Sequence, residues 1–171
     1  PLYRPLPSQV RGFEQRFGIG FVGGFKHSPN VDAIRYFLSE VWPALRASAP
    51  QITLSVAGPS LPAEIVGALP EGVTYEGQVP DLEAWLSALR LTVAPLRYGA
   101  GAKGKVASSV ANGVPVVGTS IAFEGMGLPQ SCTFAADDPA SMVQLILRLH
   151  ADAELWRRAS ESCRAYAEAE L

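Results

Sequence analysis

Short apolar runs alternate along the chain with stretches whose apolar positions recur every three or four residues. Ile19–Phe25, Ile52–Gly58, Val73–Gly77, Leu91–Leu96 and Val114–Ser120 read as strands, and Cys132–Ala136 as a weaker sixth. As a group they lack the apolar–polar alternation of a strand with one wet face, so both faces are expected to be covered. Between them lie amphipathic helices. Val31, Ile34, Phe37, Leu38, Val41, Trp42 and Leu45 mark one face of the first, with Ser28 as its N-cap and Pro29 at its first position. Leu82, Trp85, Leu86 and Leu89 mark a short one, and a further helix runs from about Ala102 to Asn112, stopped by Gly113. Asp138 and Pro139 open a helix that turns Met142, Leu145, Ile146 and Leu149 inward. The last helix, Asp152 to about Ala169, carries Leu155, Trp156, Ala159, Cys163 and Tyr166 on one side.

This order predicts an α/β protein: a Rossmann-like, doubly wound parallel sheet of about six strands with helices on both faces. Ligands of such sheets bind outside the carboxyl ends of the strands. The loops of interest are therefore Gly23–Asn30, Gly58–Leu61, Gly77–Asp81, Arg97–Lys105 and Thr119–Gly127. Residues 1–18 hold three prolines in the first seven and no sustained period, and read as a linker or arm before a domain spanning 19–171.

Composition narrows the function. With 48% hydrophobic and 18% charged residues, the 171-residue chain is a globular domain with a sizeable core. A net charge of -2 offers no basic surface for nucleic acid. The two cysteines, Cys132 and Cys163, sit in unrelated contexts and read as free thiols of a reducing cytoplasm. There is no CxxC, HExxH or Cys/His cluster, so no metal site is expected. No apolar run approaches the roughly 20 residues that span a bilayer. The start at Pro1, with neither an initiator Met nor a signal peptide, suggests a piece of a longer chain.

The chemistry concentrates in YGAGAKGKVASS, Tyr98 to Ser109. Gly99, Gly104 and Lys105 imitate a P-loop, but Val106 stands where a Mg²⁺-ligating hydroxyl is required. Gly99, Gly101 and Gly104 also match a dinucleotide fingerprint, with Glu124 placed 20 residues after Gly104 as a ribose-binding acid. Against that reading, Pro95–Tyr98 separate the strand from the first glycine, and three strands precede this one. What both share is an anion site. Glycines let backbone approach a ligand, a helix N-terminus offers unpaired N–H groups, and Lys103 and Lys105 add charge.

The stretch APLRYGAGAKGKVASSVANGVPVVGTSIAFEGM resembles the nucleotide-sugar-binding half of GT-B glycosyltransferases of the family 4, group 1 type. GFVGGFKHSPNVDAIRYFLSEVWPAL, LSVAGPSLP and VTYEGQVPDLEAWLSALRLTVAPL resemble the preceding elements of that half, in the same order. The resemblance implies a donor site for a nucleoside diphosphate sugar, with UDP or GDP as the nucleotide and no separate cofactor. Gly23, Gly24 and Lys26 match its first loop, where backbone and a cation approach the diphosphate. Gly58 matches the small residue closing the second strand, and Gly77, Gln78 and Val79 the segment that reads the base. Gly99, Gly101, Ala102 and Lys105 match the phosphate loop, and Glu124 and Gly125 the turn after the fifth strand. Lys105 and Lys26 are the candidate catalytic groups.

Two departures qualify the match. The family's two glutamates, eight positions apart, correspond to Ala100 and Ser108. Ser108 can still bond a ribose hydroxyl, but without charge. The family's N-terminal acceptor-binding domain is a partner the chain itself does not supply, and any membrane contact would run through that half. The expected activity is retaining, metal-independent sugar transfer by the full-length protein, with this piece alone inactive. The alternatives are a degenerate, non-catalytic interaction module and an NAD-binding Rossmann domain.

Overall fold

The computed structural model describes residues 10–99 and 103–171. Six strands form one parallel sheet in the order β3-β2-β1-β4-β5-β6. They are β1 (Ile19–Val22), β2 (Leu54–Ala57), β3 (Val73–Gly77), β4 (Leu91–Ala94), β5 (Val116–Gly118) and β6 (Thr133–Ala135). The expected doubly wound α/β sheet is what forms, with every strand where its apolar run lies. Most strands are shorter than the runs. After Val22 the chain leaves the sheet, and Phe25 folds back to stack on Phe21 at 5.9 Å.

The first helix is not continuous. Helix α1 (Ser28–Tyr36) passes through a five-residue π turn, Phe37–Val41, into α2 (Trp42–Ser48). Pro43 is the cause: it has no N–H to return to the carbonyl four residues back, so the preceding turn widens. The N-cap of α1 is His27 rather than Ser28, and it makes no side-chain cap bond; Ser28 is the first helical residue. Two single-turn helices, α3 (Ala63–Val66) and α6 (Ser120–Phe123), follow β2 and β5 without any apolar period in the sequence. Helices α4 (Leu82–Ser87), α5 (Lys103–Ala111), α7 (Pro139–Ala151) and α8 (Ala153–Glu170) complete the order.

Asp138 and Asp152 cap α7 and α8 by accepting from Ser141 N at 2.8 Å and Leu155 N at 3.0 Å. Gly113, at φ +70°, ends α5 in the left-handed conformation that glycine adopts without strain. The core contains Ile19, Phe21, Ile34, Phe37, Trp42, Leu54, Leu91, Val117, Met142 and Ile146.

Residues 10–18 are fastened to the amino end of the sheet. Arg16, only 2% exposed, donates to the carbonyls of Arg11, Leu89 and Asn112. Burial lowers its pKa to about 10. Arg90 lies 3.7 Å from the Phe13 ring centroid and donates to His150 O at 2.8 Å, while Trp156 Nε1 donates to Arg90 O. Cys132 and Cys163 are buried free thiols.

Candidate functional site

Strand order reverses between β1 and β4, which are direct neighbours, so the loops leaving their carboxyl ends diverge to opposite sides and leave a crevice. A narrow cavity of about 20 Å³ opens there, lined among others by Val22, Asn30, Pro95, Leu96 and Lys105.

The loops around the crevice are built on glycines. Gly23 N donates to Ala57 O at 3.0 Å, and Gly58 N donates to Gly77 O at 2.7 Å. A Cβ on Gly58, which stands at φ +126°, would lie 1.6 Å from Gly23 O. Gly58 thus lets the loops after β1 and β2 touch backbone to backbone. Tyr75 locks the same turn: its hydroxyl donates to Gly58 O at 2.5 Å and accepts from Leu61 N at 3.3 Å. Gly23, Gly58 and Gly77 are therefore assembled at one edge, tied to each other.

Gly24 faces the crevice instead. Its carbonyl accepts from Asn30 Nδ2 at 2.9 Å, and Asn30 is 4% exposed. Where a Cβ on Gly24 would sit, Lys105 Nζ is 4.0 Å away. The corresponding position on Gly125, at φ +74°, lies 3.5 Å from Lys103 Nζ. The first turn of α5 therefore puts one ammonium beside the loop after β1 and another beside the turn after β5. Lys105 is half-buried, burial lowers its pKa, and no carboxylate among the described residues pairs with it. An ammonium desolvated without a partner is poised to gain from an anion.

The Pro95–Tyr98 spacer is pinned from both sides. Thr119, buried at the end of β5, donates through Oγ1 to Leu96 O at 2.5 Å. Arg97 grips Asp32 of α1 with two bonds, Nε at 2.9 Å and Nη2 at 2.5 Å, which holds the Asp32 carboxyl below the usual carboxylate range. Gly99, at φ +85°, backs onto Pro29 so closely that a Cβ would meet its ring at 2.6 Å. Gly101 and Ala102, like Ala100, lie outside the described residues.

The remaining predicted residues are placed apart from Lys105. Lys26 is exposed in a separate groove with Ser28, Arg35 and Tyr98. Glu124 is exposed at the end of α6 and Gly125 follows it in the turn. Ser108 lines a third groove, between α4 and α5, beside Pro80 and Asp81, the residues that follow Val79. Asn30 and Thr119 were not singled out by the sequence. Each is an isolated polar residue with no motif around it, and only its burial reveals the role.

The family model of group 1 glycosyl transferases matches residues 16–152. The chain belongs to this family. Solved structures of several proteins resemble its fold. S. aureus TarM, as a point mutant in complex with fondaparinux, α-GlcNAc-glycerol and UDP, is 14% identical with a TM-score of 0.76; 95% of this chain is covered and 35% of that one. Anabaena HepE, in complex with UDP and glucose, is 17% identical with a TM-score of 0.74, covering 99% of this chain and 50% of that one. WaaG, a glycosyltransferase involved in lipopolysaccharide biosynthesis, is 17% identical with a TM-score of 0.73, covering 95% and 45%. The chain thus spans between about a third and a half of these structures, and at such identity they speak for its fold. Among curated protein sequences, none matches. No helix among the described residues is long and apolar enough to cross a membrane.

Proposed function

We propose that this domain binds the nucleoside diphosphate of a sugar donor, as one half of a retaining glycosyltransferase that needs no metal ion. The observation that carries the reading is Lys105: half-buried at the start of α5, at the strand-order reversal, with no carboxylate partner among the described residues. When the glycosidic bond to the diphosphate breaks, the leaving group gains negative charge. The Lys105 ammonium and the unpaired N–H groups of the α5 N-terminus stabilise that charge where it develops. Gly24 and Gly125, bare of Cβ beside Lys105 and Lys103, let phosphate oxygens reach the backbone. Lys26, exposed on the neighbouring loop, adds a second cation from the rim. The nucleoside extends towards Gly77, Val79 and Ser108. UDP is the first candidate, because two of the structures that this fold resembles hold it. The acceptor and its activating base belong to a second domain, so this chain alone binds donor and turns nothing over.

A second reading, a non-catalytic interaction module, draws on Ser108. Its hydroxyl donates to Gly104 O at 2.9 Å and so spends its hydrogen within α5.

Calorimetric titration with UDP, GDP and their nucleosides separates the two. Donor binding predicts affinity for a diphosphate at millimolar concentration or better. Lys105→Met should weaken it by about 10-fold or more, with uridine or guanosine binding unchanged, since a charge-assisted bond contributes about 1.5–3 kcal/mol. Absence of any diphosphate binding would favour the module.

A further inference from the structure

The groove between α4 and α5 has a volume of about 430 Å³, within the range of small-ligand sites. Pro80, Asp81, Leu82, Glu83, Ser108 and Asn112 line it. Helix α4 sits close over β1 because residue 20 is glycine; a Cβ there would meet Leu89 Cδ1 at 2.3 Å and Trp85 Cη2 at 2.8 Å. Trp85 Nε1 also donates to Ser55 Oγ at 3.0 Å, which fixes the helix against β2. The wall of the groove that α4 provides is therefore anchored to the sheet.

Its polar groups differ in what they have left to offer. Asp81 Oδ1 accepts from Ala84 N at 3.0 Å and caps α4. Asn112 Nδ2 donates to Ser108 O at 2.9 Å. Ser108, having donated to Gly104 O, can only accept from anything in the groove. Glu83 is half-buried and makes no hydrogen bond or ion pair with any described residue. A half-buried carboxylate with no bond to any described residue, lining the same groove as a hydroxyl oxygen that can only accept, is suited to a ligand that brings donors. A vicinal diol brings two O–H groups on adjacent carbons and satisfies both.

We infer that Glu83, from α4, accepts the hydrogen bonds of the donor's ribose hydroxyls, in place of a carboxylate from α5. This rests on the donor-binding reading above. Ser108 then acts as an additional acceptor, and the serine at that position is the complement of Glu83 rather than a lost function. Two carboxylates facing each other across one groove would repel, which removes the advantage of a glutamate at 108.

Binding of UDP and GDP is compared with that of 2′-deoxy-UDP and 2′-deoxy-GDP, for the wild type and Glu83→Gln. The wild type should prefer the ribonucleotide by about 10-fold, as expected for a bond to a charged acceptor. Glu83→Gln should lose that preference by weakening the ribonucleotide while leaving the deoxynucleotide unchanged. Ser108→Glu alone should give no gain, and Ser108→Glu combined with Glu83→Gln should recover discrimination; circular dichroism melting confirms that each variant folds. A ribose preference that survives in Glu83→Gln overturns the inference, as does a wild type that binds UDP or GDP without preferring ribose. Failure of the wild type to bind either diphosphate overturns the donor-binding reading, and this inference with it.

Discussion

Gly58→Ala tests whether the glycine edge is a packing requirement of the fold. The added Cβ would lie 1.6 Å from Gly23 O and 2.7 Å from Gly23 C, where carbon and oxygen normally stay more than 3 Å apart. Both atoms are backbone, so no side chain can swing away. Relief requires the loops after β1 and β2 to separate, which breaks Gly23 N to Ala57 O and strains Gly58 N to Gly77 O. Two such bonds contribute about 0.5–1.5 kcal/mol each. Holding alanine at φ +126° adds about 1–3 kcal/mol. A destabilisation of about 2–6 kcal/mol follows, equivalent to a fall in Tm of roughly 4–24 °C at this chain length. Urea and thermal denaturation followed by far-UV circular dichroism measure it. Gly24→Ala is the control: its φ is not left-handed, and the nearest atoms, His27 Cδ2 at 3.8 Å and Lys105 Nζ at 4.0 Å, are at ordinary contact. That variant should stay within about 0.5 kcal/mol of wild type. If Gly58→Ala were equally silent, the two loops would not be held backbone to backbone, and the rigid glycine edge built on them would fall.

Asn30→Leu should cost about 0.5–1.5 kcal/mol in denaturant titrations, because Gly24 O keeps only the His27 N donor at 3.2 Å; wild-type stability would show that the Asn30 bond contributes nothing. His150 is expected to make stability depend on mildly acid pH. Burial, with Arg90 beside it, lowers its pKa from 6.5 to about 4, so the unfolded chain takes up the proton first. Its contribution is complete above pH 6.5 and lost as pH falls towards 4. Because the ring is partly solvated, about 1–2 kcal/mol is expected over that window. His150→Gln should flatten this part of the stability–pH curve, and an unchanged slope would place the acid sensitivity elsewhere.

Much of the fold is legible in the sequence because it depends on local patterns. Apolar runs located each strand, and the Asp-Pro pair at 138–139 and Gly113 marked helix ends through capping chemistry that acts over a few residues. The π turn was missed although its cause, Pro43, is local, since a strong helical period continues on both sides of it. The single-turn helices α3 and α6 were missed because four residues carry no period. In the site, the charged residues of YGAGAKGKVASS stood out by spacing, but Asn30 and Thr119 did not. Their partners, Gly24 O and Leu96 O, are backbone atoms, which leave no signature in a side-chain pattern. Lys26 and Lys105 looked equivalent as cations beside glycines, yet only Lys105 is half-buried in the crevice.

Local pattern is enough to set the class of this protein: a doubly wound parallel sheet, a likeness to group 1 glycosyltransferases, and a glycine-and-lysine loop fit for an anion. Those properties follow from periodicity and short-range spacing. Tertiary structure alone decided which glycines serve the fold and which face the crevice, since Gly58 and Gly24 differ only in what lies where a Cβ would be. It also decided that Glu83 and Ser108, 25 positions apart in the chain, share one groove. That meeting depends on the crossover from β3 to β4, which carries α4 over β1 and alongside α5. No spacing rule along the sequence encodes such a juxtaposition.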